Sequence, residues 1–255
     1  MKRVDLNCDL GESFGAYRCG SDSEVIPHIS SANVACGFHA SDPLWMHKTV
    51  QLAKQHNVAI GAHPGFPDLV GFGRREMAVS IPELKAMVQY QIGALQAFCK
   101  AQGAPLCHVK PHGAMYNMAA KKKDMAIAIC EAIAEVDPQL ILLGLSGSQM
   151  LEAAKEVGLP WASEVFADRS YEEDGSLTPR SRPDAVITDE NLAIDRVLQM
   201  VQQGTVTARG GKTIAIQADS ICLHGDGAKA VEFACRIRHA LTDAGISILP
   251  LKGKD

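Results

Sequence analysis

Short apolar runs in this chain end repeatedly on a histidine, a lysine or a carboxylate. Leu6-Asn7-Cys8 leads into Asp9 and Glu12, Val34-Ala35-Cys36 into His39, and Val58-Ala59-Ile60 into His63. Cys107-His108-Val109 leads into Lys110 and His112, Trp161-Ala162 into Glu164, Asp168 and Arg169, and Ile221-Cys222-Leu223 into His224 and Asp226. Parallel strands of one barrel share a C-terminal mouth, and α/β barrels keep their chemistry at that end. Six runs in one register therefore predict a single site gathered from six places, and with it a hydrolytic or group-transfer enzyme.

Helical patterns separate the runs. Asp42-Pro43 reads as an N-cap with proline at the first helical position, and Met46, Val50 and Ala53 then share a face. Ser80-Ile81-Pro82-Glu83 is a capping box opening a helix that Gly103 and Pro105 stop. Further helices are expected over 124–136, over 148–157, from about Thr188 to Gly204, and from Ala230 to Gly245, with 246–249 as a closing strand. This alternation implies a parallel sheet covered on both faces. The fold expected is an α/β barrel of about seven parallel strands formed by one domain, residues 1–255, with an open doubly wound sheet as the alternative. Two connections exceed what packing needs, 64–79 and 170–187, and long loops of this kind serve as lids or binding loops.

Composition narrows the function classes. With 47% hydrophobic and 21% charged residues, 255 residues can bury a large core without disulfides. The net charge is −4 and the basic residues are dispersed, so no nucleic-acid footprint is present. The one basic run, Lys121-Lys122-Lys123, reads as solvated. Eight cysteines contain no C-x-x-C pair, and no apolar stretch has the length of a membrane span. A reduced, cytoplasmic protein without nucleic-acid or membrane partners is expected.

The polar residues at the run ends divide by chemistry. Asp9 and Glu12 flank Gly11, and two close carboxylates can split into an acid and a base, hold a cation or orient a histidine. His39 and His63 occupy equivalent places after successive runs, where neutral imidazoles could transfer protons or, with Asp9, ligate a metal. Val109-Lys110-Pro111-His112-Gly113 is the most compact constellation: Lys110 could neutralise an anion, His112 could move protons, and Tyr116 and Asn117 follow closely. Arg169 beside Asp168 suits a carboxylate or phosphate, or a local ion pair. His224-Gly225-Asp226-Gly227 reads as a turn into a helix N-terminus, with Asp226 as plain cap or catalytic acid. Neither a G-x-S-x-G elbow nor a G-x-x-x-x-G-K-[ST] phosphate loop occurs, and Leu145-Ser146-Gly147-Ser148 lacks the lysine of the latter.

These residues sit in longer stretches that resemble the LamB/YcsF family, the A subunits of prokaryotic ATP-dependent 5-oxoprolinase. The stretches are 5–12 (DLNCDLGE), 33–39 (NVACGFH), 61–68 (GAHPGFPD), 71–75 (GFGRR), 109–113 (VKPHG), 166–169 (FADR) and 222–226 (CLHGD). They fall in order over nearly the whole chain. One departure is Ser41, where the family pattern carries glycine in His-Ala-Gly-Asp-Pro.

The resemblance implies a seven-stranded barrel akin to the polysaccharide deacetylase and glycoside hydrolase fold. It implies cleavage of 5-oxo-L-proline to L-glutamate coupled to hydrolysis of Mg-bound ATP, with B and C subunits as partners. On that reading Asp9, Glu12, His39, His63, Lys110, His112 and Asp168 are the catalytic set. Asn7, Arg74, Tyr116, Glu164, Arg169, His224 and Asp226 contact substrate or phosphate. Whether a protein-bound metal takes part is left open. Two other readings remain beside it: a stand-alone metal-dependent deacetylase or amidohydrolase using Asp9, His39 and His63 as ligands, and a non-catalytic substrate-binding subunit.

Overall fold

The computed structural model describes residues 2–223 and 230–254. His224, Asp226 and the turn expected around them lie outside the described residues, and so does the role expected for them. The elements run β1 (Arg3–Leu10), α1 (Asp22–Val25), β2 (Ser31–Ala35), α2 (Pro43–Gln55), β3 (Ala59–His63), α3 (Ile81–Gln102), β4 (Leu106–Val109), α4 (Gly113–Ala119) and α5 (Lys123–Val136). They continue with β5 (Ile141–Leu145), α6 (Gln149–Val157), β6 (Trp161–Phe166), α7 (Glu190–Gln203), β7 (Thr205–Thr207), β8 (Thr213–Ala215), β9 (Ser220–Leu223), α8 (Ala230–Asp243) and β10 (Ser247–Ile248). Strands β1 to β6 and β9 pair in parallel in the order β1-β2-β3-β4-β5-β6-β9, and β9 pairs back to β1. The expected seven-stranded barrel is therefore closed. β10 extends the sheet beside the start of β1, and β7 and β8 form a separate antiparallel ribbon.

The helices begin and end where their caps dictate. The Asp42 carboxylate accepts from the Leu44 and Trp45 amides at the start of α2, and Ser80 and Glu83 close a reciprocal capping box on α3. Gly103 ends α3 in the left-handed region. The short helices α1 and α4 and the β7–β8 ribbon go beyond what the sequence pattern predicts. α4 carries no apolar period long enough to distinguish it from the loop after Lys110.

Period-two alternation along the strands gives the barrel an unusual lining. Leu6, Cys8 and Leu10 of β1 join the apolar layer beneath the helices, whereas Asp5, Asn7 and Asp9 face the axis. The register places Asp9, Asn33 and Gly61 side by side on β1, β2 and β3, with His108 of β4 next in line. At the closed end Asp5 accepts hydroxyl hydrogen bonds from Ser30, Ser31 and Ser220. Burial raises its pKa to about 6 against those hydrogen bonds. Above it, Asn7 donates to Ser220 (2.7 Å), Asn33 donates to Asn7 (2.7 Å) and Asp9 (2.8 Å), and His108 Nε2 donates to Asn33 (2.7 Å). The column ends at Lys110 and the mouth.

Candidate active site

The strand ends converge as the run pattern predicts. Lys110, the residue after β4, turns inward and is 2% exposed. Its ammonium donates to Asp9 Oδ1 (2.9 Å) and Asn7 Oδ1 (3.3 Å), lies 2.9 Å from Glu164 Oε1, and contacts Cys222 Sγ at 3.2 Å. Burial alone would discharge a lysine here; the carboxylates of Asp9 and Glu164 outweigh it and hold the pKa well above the usual lysine range. Glu164 is fully buried within β6, and Tyr116 on α4 donates to its other oxygen at 2.6 Å. Burial, with Glu164 adjacent, pushes the Tyr116 phenol well above its ordinary pKa, so it stays a donor.

Three histidines pack beside this ion cluster. The rings of His39 and His112 stack with centroids 3.7 Å apart, and His63 meets His112 edge-on at 4.8 Å. His63 Nδ1 lies 2.7 Å from the Lys110 carbonyl, and His112 Nε2 lies 2.8 Å from the Phe72 carbonyl. A carbonyl only accepts, so both of those nitrogens carry hydrogen. The facing pair, His63 Nε2 and His112 Nδ1 at 2.9 Å, presents only lone pairs when both rings are neutral. Asp9 Oδ2 stands 3.3 Å from His63 Nε2, and Glu12 Oε1 stands 3.5 Å from His39 Nε2 and 3.9 Å from His112 Nδ1. Burial depresses the pKa values of His39 and His112 well below the ordinary histidine value, reinforced by His63 in both and by His39 beside His112.

Glycines and the first long loop make this packing possible. Gly73 approaches so closely that a Cβ there would lie 2.7 Å from both His112 and His39, and its backbone is left-handed at φ +63°. The loop containing it is pinned by the Asp68–Arg75 ion pair and thus roofs the histidines. Ser41, next to the strand end that bears His39, is buried with φ +75°, a conformation in which glycine is unstrained.

A cavity of about 610 Å³ opens over the mouth, lined by Asp9, Glu12, His63, Lys110, His112 and Tyr116 at its floor. Arg74 reaches its wall from the roofing loop. The second long loop closes the other side through 174–180, and the Ser146-Gly147-Ser148 turn after β5 contributes as well. Lys121 and Lys122, expected to be merely solvated, are exposed but stand at the rim.

The structure sorts the expected site residues further. Asn7 and Glu164 do not line the cavity; they lie beneath it and hold Lys110. His39 is likewise behind His112, and Asp168 is absent from the lining. Arg169 reaches the cavity, yet its guanidinium donates to the carbonyls of Thr178 (2.6 Å) and Ala185 (3.2 Å), so it largely fastens the second loop. Of the expected ligand trio Asp9, His39 and His63, Asp9 and His63 meet at 3.3 Å, and the groups whose donor atoms all lie within 4.8 Å of one another are Glu12, His39, His63 and His112. The interior residues Asp5, Asn33 and His108 escape a reading confined to strand ends. The every-second-residue recurrence of Asp5, Asn7 and Asp9 is the signal that could expose an inward polar row.

The sequence pattern of the LamB/YcsF family matches residues 4–255. The chain belongs to the LamB/YcsF family. Its relatives include a protein of Clostridium beijerinckii named as the A subunit of 5-oxoprolinase, 63% identical over 98% of both chains. A protein of the same name from Bacillus subtilis is 53% identical over 97% of this chain and 96% of its own length. Among solved structures, the lactam utilization protein of Thermus thermophilus superposes with a TM-score of 0.93 at 50% identity, covering 98% of this chain and 100% of that one. The barrel itself extends beyond LamB/YcsF: a putative cellobiose-phosphate cleavage protein of Enterococcus faecalis shares the fold at 16% identity and a TM-score of 0.61, covering 98% of this chain and 97% of that one.

Proposed function

We propose that this chain is the A subunit of a 5-oxoprolinase, opening the lactam of 5-oxo-L-proline to L-glutamate with ATP hydrolysis, together with B and C subunits. The observation that carries the reading is identity above 50% along the full length to relatives of that name. The site agrees with it in kind. Its volume is ordinary for a small-molecule pocket, and its buried cation, carboxylates and neutral imidazoles suit acyl transfer at a poor electrophile.

Lys110, fixed by Asp9 and Glu164, would place positive charge near the developing oxyanion or phosphoryl oxygens. Asp9 with His63 and His112 would move protons between water and the leaving nitrogen. The cationic rim of Arg74, Lys121, Lys122 and Arg180 would draw in the substrate carboxylate. Ring opening of an unstrained five-membered lactam is uphill, which coupling to ATP would offset: phosphorylation of the amide oxygen, releasing ADP, would activate the carbon. Water would add there, and the C–N bond would break as the nitrogen takes a proton and leaves as the amine. A second water would hydrolyse the resulting acyl phosphate to glutamate and phosphate. In the absence of a phosphate-loop motif in this sequence, the nucleotide would be handled jointly with the partner subunits. Asp168, His39, His224 and Asp226 remain candidates as orienting or contacting groups.

The test is glutamate formation from 5-oxoproline and ATP by this chain alone and mixed with B and C subunits. Turnover only in the mixture, abolished by Lys110→Ala or His112→Ala in folded protein, is the expected outcome. Unchanged turnover in either variant would refute the roles given.

A further inference from the structure

The four groups Glu12, His39, His63 and His112 form a constellation that the proton chemistry above does not fully explain. Two lone pairs, on His63 Nε2 and His112 Nδ1, face each other at 2.9 Å with their outer N–H groups committed to carbonyls. Such an approach is repulsive unless positive charge lies between or beside the two nitrogens. His39 adds a second anomaly. It is 1% exposed, and neither ring nitrogen has a hydrogen-bond partner; Glu12 stands 3.5 Å from its Nε2. Burying an imidazole with nothing to bond to is costly, and the cost is removed if a ligand takes its lone pair.

We propose that Glu12, His39, His63 and His112 bind one divalent transition-metal ion of the zinc class. Three imidazoles and one carboxylate are a donor set suited to zinc and its neighbours. Ligands around a tetrahedral ion stand about 3–4 Å apart. The separations of 3.5 and 3.9 Å within this group fall in that range and that of 2.9 Å just below it, and with all four donors within 4.8 Å small side-chain shifts would gather them on one ion. The hydrogen bonds from His63 and His112 to the Lys110 and Phe72 carbonyls are the outer contacts that metal-bound histidines usually make, fixing tautomer and ring direction. Gly73 and the roofing loop keep His39 against His112. Asp9 stays outside the set, engaged by Lys110, yet close enough to accept a proton from a group on the cavity side; with the ion bound, His63 and His112 act as its ligands and the proton transfer given to them above passes to Asp9. Glu12, His63 and His112 also line the cavity, so the ion would stand at its floor, where it would act as a Lewis acid on a substrate oxygen.

The experiment uses the untagged full chain, stripped with chelator and free of partner subunits, and reads metal directly. Titration with Zn²⁺ by calorimetry should give one site per chain with micromolar or tighter affinity. Co²⁺ loading should give the intense visible bands of a four-coordinate site. Glu12→Gln and His39→Ala should each weaken binding at least about 10–100-fold, while Asp9→Asn should retain the Co²⁺ spectrum. Circular dichroism of each variant separates lost binding from lost folding, and the wild-type stoichiometry stands whichever variant fails to fold. Absence of stoichiometric binding by the folded wild-type chain, or equal affinity in folded Glu12→Gln and His39→Ala, would overturn the proposal and leave a shared proton between His63 and His112. Because the readout is the metal and not turnover, its failure is distinct from failure of the lactam reading.

Discussion

Replacing Gly61 by alanine tests the barrel interior most directly. Gly61 lies opposite His108, and a Cβ built there would stand 2.1–2.3 Å from three atoms of the His108 ring. The ring cannot withdraw without breaking its bond to Asn33, which in turn holds Asn7 and Asp9. Overpacking of a tight core costs about 1–3 kcal/mol. Unpairing the buried Asn33 oxygen adds about 1–3 kcal/mol. The smaller entropy of an unfolded alanine returns about 0.4–1 kcal/mol. The net destabilisation expected is about 3 kcal/mol, or a fall in Tm of roughly 6–12 °C for a chain of this size. Urea unfolding monitored by circular dichroism measures it. His108→Ala alone opens a void and should cost about 2–4 kcal/mol; in the double variant the new methyl enters that void. The two changes should therefore be less than additive by about 1–3 kcal/mol. A Gly61→Ala protein within about 0.5 kcal/mol of wild type, or strict additivity, would refute this account.

Three other expectations concern charge and strain. Asp5, with its folded pKa raised from 3.8 to about 6, favours the folded state fully below pH 3.8, and that contribution is lost as pH rises to about 6. The distance from 3.8 to about 6 corresponds to about 3 kcal/mol. Asp5→Asn should thus gain stability relative to wild type between pH 4 and 6 and hold the difference above; a pH-independent difference in unfolding free energy would contradict the burial argument. Lys110→Met leaves Asp9 and Glu164 without their shared cation and should cost about 3–5 kcal/mol. Adding Glu164→Gln should recover part of the loss in chemical denaturation, and no recovery would mean the pair is not coupled. Ser41→Gly relieves a left-handed serine worth about 1–2 kcal/mol and gives back about 0.5–1 kcal/mol in chain entropy; a melting temperature below wild type would show that the Ser41 side chain contributes more than its strain costs.

Much of the barrel is legible in the sequence because its signals are local. The capping groups Asp42, Ser80 and Glu83 and the stop at Gly103 act within one helical turn, so α2 and α3 can be bounded from sequence. The strand ends bearing Asp9, His39, His63, Lys110 and His112 are legible for a second reason: parallel strands in a closed sheet must present equivalent ends together. β5 escapes the pattern, since Ile141–Leu145 ends on Ser146 rather than a charged group.

What only the tertiary structure decided is which of these groups touch. From sequence, Asn7, Glu164 and Arg169 are expected to contact substrate or phosphate, beside a catalytic Lys110. Closure of the barrel places the first two beneath the lysine and turns the third toward loop carbonyls. The same closure brings both carboxylates to the histidines: Asp9 bridges Lys110 and His63, while the turn after β1 carries Glu12 toward His39 and His112. Sequence by itself determined the strands, their direction and the end at which chemistry would gather, through period, caps and parallel geometry. Separations of about 3–4 Å between side chains far apart in the chain depend on sheet register and loop packing, and those are set only when the whole barrel closes.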